Sequence, residues 1–221
     1  MTKQIFYFIS FFCLLISCKK TENNSKEIAG FDRLNIDSIY TVDKIALHFP
    51  DRVEEIEMYI KNKKDTISNQ YKLIKNNKID TIESVYYDLN ISKTNQPHIY
   101  KGRITLHTKY ENLKLNKHNR RTLEFSYCEQ NKDSMFISSV KSTVSTTLDF
   151  TFENYYGKNL QGLLYQIVER DTTKGLINLN QVHLLVDNSA KSDNLFLESY
   201  DLHKDKNRKI NLKGVKLNKM K

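Results

Sequence analysis

The run Ser138-Ser139-Val140-Lys141 places a serine three residues before a lysine, a spacing at which a lysine can activate a serine nucleophile. That activation requires both side chains on one face, a helical turn apart. The sequence around Ser138 alternates as a strand does, and strand residues three apart face opposite sides of the sheet. The S-D-N and K-T-G elements that such enzymes also use are absent from the chain. We therefore predict no serine nucleophile here.

The acidic stretch that begins at Asp187 has the outline of an EF-hand calcium loop, with Glu198 at the last ligand position. Lys191 and Ser192 stand where that loop needs an oxygen ligand and a glycine. The six histidines show no H-x-x-x-H or H-E-x-x-H spacing of the kind found in zinc sites. The sequence therefore predicts no metal site.

Cys128 alternates away from the apolar residues of its strand, which predicts an exposed thiol. No histidine and acid are identifiable as its catalytic partners. Gly157 and Gly162 do not form a phosphate-binding loop, because Leu163 follows where a lysine would be required. We predict no catalytic residue, no cofactor-binding residue and no cofactor, although an active site assembled from distant positions stays open as an alternative.

The residues Leu15-Ile16-Ser17-Cys18 end an apolar run that starts at Ile5 and follows Lys3. The run is shorter than the roughly 20 residues that cross a bilayer, but it has the length of a signal-peptide core. These four residues resemble the L-x-[SAG]-C lipobox of bacterial lipoproteins. The resemblance implies that Cys18 is acylated and that the chain is cut before it. The alternatives are a cleaved signal without lipid and a buried N-terminal helix.

Five Asp-Ser and Asp-Thr pairs, with the residues that follow them, resemble the signal for O-glycosylation of exported proteins in Bacteroidetes, which is Asp, then Ser or Thr, then a small or aliphatic residue. The candidate acceptors are Ser38, Thr66, Thr81, Ser134 and Thr172. The alternative is that each Asp begins a turn and accepts hydrogen bonds from nearby backbone amides. Ser38 is the preferred site because it follows a polar tether and a glycan needs exposure.

Charge and cysteine content narrow the function classes. The net charge is +9, from 35 basic and 26 acidic side chains that are interleaved along the sequence. That pattern and an envelope location predict no nucleic-acid partner.

The chain has three cysteines, and removal of the signal peptide leaves only Cys18 and Cys128. Lipid on Cys18 would leave Cys128 without a disulfide partner, so the fold must hold without disulfides.

From about Lys44 the dominant pattern has a period of two, which predicts half-buried antiparallel strands. Three segments carry this alternation in apolar residues: Ile56, Met58 and Ile60; Leu123, Phe125 and Tyr127; Leu148, Phe150 and Phe152. Two runs of consecutive apolar residues, 163–168 and 182–186, predict central strands covered on both faces. Polar, Asn-rich connections separate the strands. The predicted fold is mostly β, an antiparallel β-sandwich or barrel-like sheet after a cleaved lipoprotein signal peptide.

We predict four segments along the chain. Residues 1–17 are the signal peptide, and residues 18–40 are the acylated cysteine and a flexible tether. An antiparallel β domain follows over residues 41–200, with a subdivision near residue 95 as an alternative. Residues 201–221 form a basic C-terminal tail or an edge strand.

The chain resembles small lipoproteins of Flavobacteria and related Bacteroidetes. Its lipobox carries the resemblance, and residues 148–167 are similar to a strand–G-x-N-x-x-G–strand passage in some β-rich lipoproteins of that group. The resemblance implies no activity. It implies a lipid anchor in the outer membrane, and Lys19 with few acids after Cys18 favours the periplasmic side over the cell surface. The predicted function is a membrane-anchored, non-catalytic binding or structural module whose partner is an envelope protein or glycan. The alternatives are an enzyme acting on envelope glycan or lipid, and an immunity lipoprotein against a toxin.

Overall fold

The computed structural model describes residues 40–62, 65–157, 159–173, 175–197 and 216–217. The described part of the chain consists of strands and their connections, and it contains no helix, as the alternation predicts. The strands are β1 (Tyr40–His48), β2 (Val53–Lys61), β3 (Asp65–Lys75), β4 (Lys78–Ile79), β5 (Tyr86–Lys93), β6 (Ile99–His107), β7 (Asn119–Gln130), β8 (Met135–Ser142), β9 (Thr147–Glu153), β10 (Gln161–Asp171), β11 (Ile177–Asp187), β12 (Lys191–Ser192) and β13 (Lys216–Leu217).

These strands form three sheets. Sheet I has the order β12-β1-β2-β3-β4, sheet II has the order β11-β10-β7-β8-β13, and sheet III has the order β5-β6-β9. Neighbouring strands pair antiparallel, except that β13 runs parallel to β8. The prediction of antiparallel sheets consistent with a β-sandwich is therefore confirmed.

Sheets II and III enclose the main core between them. Alternate residues of β7 and β9 point into it, so the alternation predicted at Leu123 and Leu148 is confirmed. The buried residues of this core are Tyr87, Ile104, Leu106, Leu123, Phe125, Tyr127, Leu148, Phe150, Phe152, Leu160, Leu164, Leu184 and Val186. Four aromatic rings, those of Phe125, Tyr127, Phe150 and Phe152, contact one another at its centre. The ring contacts join β7 of sheet II to β9 of sheet III.

The opposite face of sheet II is covered at β10 and β11 by a second, smaller core. Tyr40, Tyr59, Leu185 and Leu197 are buried there. Leu185 therefore faces one core while Leu184 and Val186 face the other, which explains three consecutive buried residues. The prediction that β11 is covered on both faces is confirmed, but β11 lies at the edge of sheet II instead of its centre.

The strand predicted around Ile56 is present as β2, but the predicted buried face is wrong. Ile56, Met58 and Ile60 are half-buried, whereas Tyr59, which the alternation of these three residues places on the opposite face, is fully buried. The register explains the difference, because Tyr59 pairs with Val42 and Ile67, and these two residues pack on the second core. Packing against the second core therefore outweighs the local hydrophobic alternation.

The predicted Asn-rich connections are turns. Asn76 and Asn77 have φ angles of 52° and 60° and link β3 to β4 as a two-residue hairpin loop. Two successive positive φ angles are typical of the type I′ turn, for which Asn is well suited. Between β7 and β8, Asn131 Oδ1 accepts the backbone N–H groups of Asp133 and Ser134. Gly157 has a φ of 64°, a conformation that glycine adopts without steric cost.

The predicted segments differ in how much of them the structure describes. The signal peptide, Cys18, Ser38 and residues 18–39 of the tether lie outside the described residues. Residue 95 lies in the loop of the β5–β6 hairpin, whose strands pair from Tyr86–His107 to Lys93–Tyr100. Within the basic C-terminal segment, Lys216–Leu217 forms an edge strand beside Phe136 and Ile137. The signal peptide and the division into segments stay predictions.

Candidate binding surface

A β-bulge in sheet I is the starting point of the candidate surface. The pairing of β2 with β3 shifts between Ile56 and Met58, so that Asn69 and Gln70 both lie opposite Glu57. Such a bulge turns side chains away from their regular alternation. Here both amides reach the same carboxylate oxygen, because Asn69 Nδ2 donates to Glu57 Oε1 at 2.8 Å and Gln70 Nε2 donates to it at 3.0 Å.

The two amides also connect sheet I to the other two sheets. Asn69 accepts the N–H of Leu185 at 2.7 Å and donates to the C=O of the same residue at 2.8 Å. The Asn69 side chain therefore makes the two hydrogen bonds at the open edge of β11 that a neighbouring strand would make. Gln70 Oε1 accepts the N–H of Tyr87 on β5 at 3.0 Å. This joint has no local signal in the sequence, because Asn69 and Leu185 are 116 residues apart.

Beside the bulge lies a shallow pocket lined by Lys44, Glu55, Ile56, Glu57, Gln70 and Lys72. Its volume is about 30 Å³, enough for one or two waters. Small-molecule sites usually measure about 300–1,000 Å³. The register places opposite charges next to each other around it, Lys44 opposite Glu57 and Glu55 opposite Lys72. This face of sheet I is therefore a charged surface with alternating signs.

The other face of the same segment carries exposed apolar side chains beside the Arg52–Glu54 ion pair. We call residues 43–57, which form the hairpin end of β1 and β2, the arm. Ile45, Leu47 and Phe49 of the arm are 38%, 41% and 41% exposed. Ile45 pairs with Ile56, which in turn pairs with Tyr71, so one row of apolar side chains crosses three strands. Phe49 adds its ring at the tip, where the guanidinium of Arg52 lies 4.2 Å from the ring centroid.

The arm also has an open backbone edge. The residues Tyr40 and Thr41 pair with β12, and the N–H of Val42 reaches the C=O of Ala190, but further along β1 no described strand continues this pairing. Because backbone groups alternate along a strand, the N–H groups of Lys44, Ala46 and His48 point the same way as that of Val42. The Asp43 carboxylate accepts the N–H of Lys44 at 2.8 Å. Ala46 and His48 therefore present backbone groups at this edge.

The structure corrects the prediction of an exposed thiol at Cys128. Its side chain lies on the outer face of sheet II, as the alternation predicts, but it is half-buried. Burial, reinforced by the nearby Asp193 and Asp187 carboxylates, raises the pKa of Cys128 to about 12. A thiol with that pKa stays protonated at neutral pH and is a poor nucleophile.

The other sequence candidates do not converge on one place. Ser138 lies opposite Tyr127 and Lys141 lies opposite Glu124, and thus the two face opposite sides of β8. His107 lies between Asp88 and Glu111, with nitrogen–oxygen distances of 3.0 Å and 3.3 Å, and stacks on Tyr86. No group of three or more His, Cys, Asp or Glu side chains that suits a metal ion occurs among the described residues.

The described glycosylation candidates lie at or near the surface. Thr66, Thr81 and Thr172 are exposed, and Ser134 is half-buried in the β7–β8 turn. Two of the aspartates that precede these acceptors already make hydrogen bonds or ion pairs within the protein. Asp80 accepts the N–H groups of Ile82 and Glu83, and Asp171 pairs with His118 and Arg120. Glycosylation at these positions stays a prediction.

In the part of the chain that the structure describes, no helix has the length and apolar character needed to cross a membrane. No protein-family model, curated protein or solved structure matches the chain.

Proposed function

We propose that the protein is a lipid-anchored, non-catalytic binding module of the bacterial envelope, on the periplasmic side of the outer membrane. The anchor is the acylated Cys18 implied by the lipobox. The observation that supports a binding role is the arm, whose apolar face and open backbone edge lie side by side. The partner we propose is an extended segment of an envelope protein that adds to β1 as a further strand.

Strand addition uses two kinds of contact that the arm presents. Backbone hydrogen bonds to the edge supply affinity, and alternate side chains of the added strand contact one face of the sheet. Ile45, Leu47 and Phe49 would supply the apolar contacts, since burying such a side chain completely is worth about 1.5–3 kcal/mol and each is partly exposed. Lys44 and Glu55 on the other face would form a polar rim.

Site-specific photo-crosslinking in intact cells tests this function. A photoreactive phenylalanine analogue at Leu47 should give a crosslinked species of one defined mass. The matched control carries the analogue at Val144, which is 74% exposed in the loop between β8 and β9, outside the arm. Absence of a crosslinked species at Leu47, or the same species at both positions, would contradict the proposal. Recovery of a toxin as the partner would instead identify an immunity lipoprotein.

The anchor is tested separately. Replacement of Cys18 by serine should abolish incorporation of labelled palmitate and move the protein from the membrane to the soluble fraction. A Cys128→Ser variant is the matched control, and it should keep both the label and the membrane location. Palmitate incorporation that survives Cys18→Ser would contradict the proposed anchor without affecting the arm.

A further inference from the structure

Among the arginines that the structure describes, Arg121 is the one that is buried, and it lies beside the backbone of Tyr110 and Glu111. Its side chain is on the core face of β7 and is only 5% exposed. Gln166 on β10 is 1% exposed and lies on the same face. The register pairs Arg121 with Val168 and Leu123 with Gln166, so Arg121 and Gln166 are diagonal neighbours. Side chains at such positions are within reach of each other when they are long.

Both side chains keep a buried donor that no acceptor of the described residues reaches. Arg121 Nη2 donates to the C=O of Val144 at 2.7 Å, and Nη1 donates to the C=O of Tyr110 at 3.3 Å and lies 3.5 Å from that of Glu111. Its Nε has no partner. Gln166 Oε1 accepts a long hydrogen bond of 3.4 Å from Thr108, and its Nε2 has no partner.

The charge of Arg121 also lacks a counterion among the described side chains. Arg52, Arg103 and Arg120 each pair with a carboxylate at the surface. No described carboxylate lies within 4 Å of Arg121, although Glu111 is close enough to favour its charged form. Burial lowers the pKa of Arg121, which reflects the cost of keeping this charge away from water. A buried charge that is left uncompensated is strongly destabilising.

We propose that Arg121 Nε and Gln166 Nε2 together bind a small monovalent anion of halide size. Two unpartnered N–H donors on diagonal neighbours, one of them charged, match the chemistry that an anion requires. Both nitrogen atoms are buried away from solvent. Burial favours a monatomic anion such as chloride, because a carboxylate or phosphate ligand carries further oxygen atoms that need more room. The Thr108 hydroxyl accepts the N–H of Tyr110 and donates its hydrogen to Gln166 Oε1, which leaves Nε2 as the free donor of that amide.

Thermal unfolding of the full chain at constant ionic strength, with sodium gluconate replaced stepwise by sodium chloride, tests this site. The wild-type midpoint should rise with chloride and saturate. Arg121→Met should lose the chloride dependence. Arg120→Met removes a guanidinium from the adjacent residue on the outer face of the same strand, and it should keep the dependence. A midpoint that does not respond to chloride, or that responds equally in all three proteins, would overturn the proposal.

A second variant and a direct measurement cover the case in which Arg121→Met does not fold. Gln166→Leu removes the other donor with little change in size, and it should raise the chloride concentration for half-maximal effect about tenfold, because a hydrogen bond to a charged group is worth about 1.4 kcal/mol or more. In crystals grown with sodium bromide, anomalous scattering should place bromide between Arg121 Nε and Gln166 Nε2. A water in that position, without anomalous signal, would show that neutral solvent alone satisfies the donors and would overturn the anion.

Discussion

At the scale of single residues, the tightest constraint in the main core is the close approach of aromatic rings to glycine backbones. A methyl group at Gly162 would lie 2.4 Å from Phe125 Cε2 and 2.6 Å from the carbonyl oxygen of Ser126. A methyl group at Gly102 would lie 2.1 Å from Phe150 Cζ. Glycine at position 162 therefore lets β10 start without crowding the ring of Phe125.

We expect Gly162→Ala to lower the free energy of unfolding by about 3 kcal/mol, because the added methyl group overpacks a core that includes rigid backbone. The measurement is chemical denaturation of the purified protein. Gly157→Asn is the control, since nothing lies within 4 Å of a methyl group there and Asn tolerates a positive φ. A loss of equal size in both variants would contradict the packing explanation.

The Asp187 carboxyl makes stability depend on pH. Burial, aided by the Asp193 and Glu57 charges, raises the pKa of Asp187 to about 6, although the Ser192 hydroxyl and the Ser189 N–H donate to it. The unfolded value is about 3.9. Between these two values the folded state binds more protons than the unfolded state. This contribution to stability is therefore fully present below about pH 4 and is lost as the pH rises through about 6.

Asp187→Asn keeps an acceptor for the Ser189 N–H but cannot ionise. We expect the variant to be about 2 kcal/mol more stable than the wild type at pH 7, with the difference shrinking toward pH 4. Urea unfolding at a series of pH values measures it. Asp133→Asn in the exposed β7–β8 turn is the control and should follow the wild-type curve. A difference between Asp187→Asn and wild type that does not vary with pH would contradict this assignment.

At the scale of elements, Asn69 connects the bulge of sheet I to the edge of sheet II through both backbone groups of Leu185. Asn69→Ala should lower the free energy of unfolding by about 2–3 kcal/mol, because it leaves both backbone groups of Leu185 without this partner and removes one of the two amide donors to Glu57. Hydrogen exchange should show the largest acceleration at the Leu185 amide. Asn90→Ala, at an exposed position of β5, should change neither quantity. An unchanged Leu185 amide in Asn69→Ala would contradict the role of this side chain.

The elements that the sequence predicts are those whose signal is local. Leu123, Phe125 and Tyr127 alternate with polar neighbours within one strand. Asn76 and Asn77 favour the turn themselves, because asparagine tolerates the positive φ angles that the turn requires. The joint at Asn69 is not predictable in this way, since its partner Leu185 is 116 residues away. Arg121 is one of 35 basic residues, and its position on the core face follows only from the register of β7 with β10. The inverted face of β2 has the same cause, because only tertiary packing buries Tyr59.

At the scale of the whole molecule, the three sheets are held together while the arm extends beyond both cores. Sheets II and III share the main core, and the second core and the Asn69 joint attach sheet I to sheet II. Residues 43–50 of the arm are all exposed. Changes at the free edge of the arm should therefore alter binding with little effect on folding, which separates the proposed function from stability.

A pair of proline substitutions in β1 tests whether a partner adds to the open edge of this strand without any change in how the molecule folds. Proline lacks the backbone N–H, and an edge strand tolerates it where that N–H faces outward. The N–H of Ala46 faces the open edge, so Ala46→Pro should change the unfolding free energy by less than about 1 kcal/mol and should abolish the crosslink at Leu47. The N–H of Ile45 faces β2, and Ile45→Pro should destabilise the protein by about 3 kcal/mol through loss of β1–β2 pairing. Full crosslinking at Leu47 in a folded Ala46→Pro variant would show that the partner binds the apolar face without adding a strand.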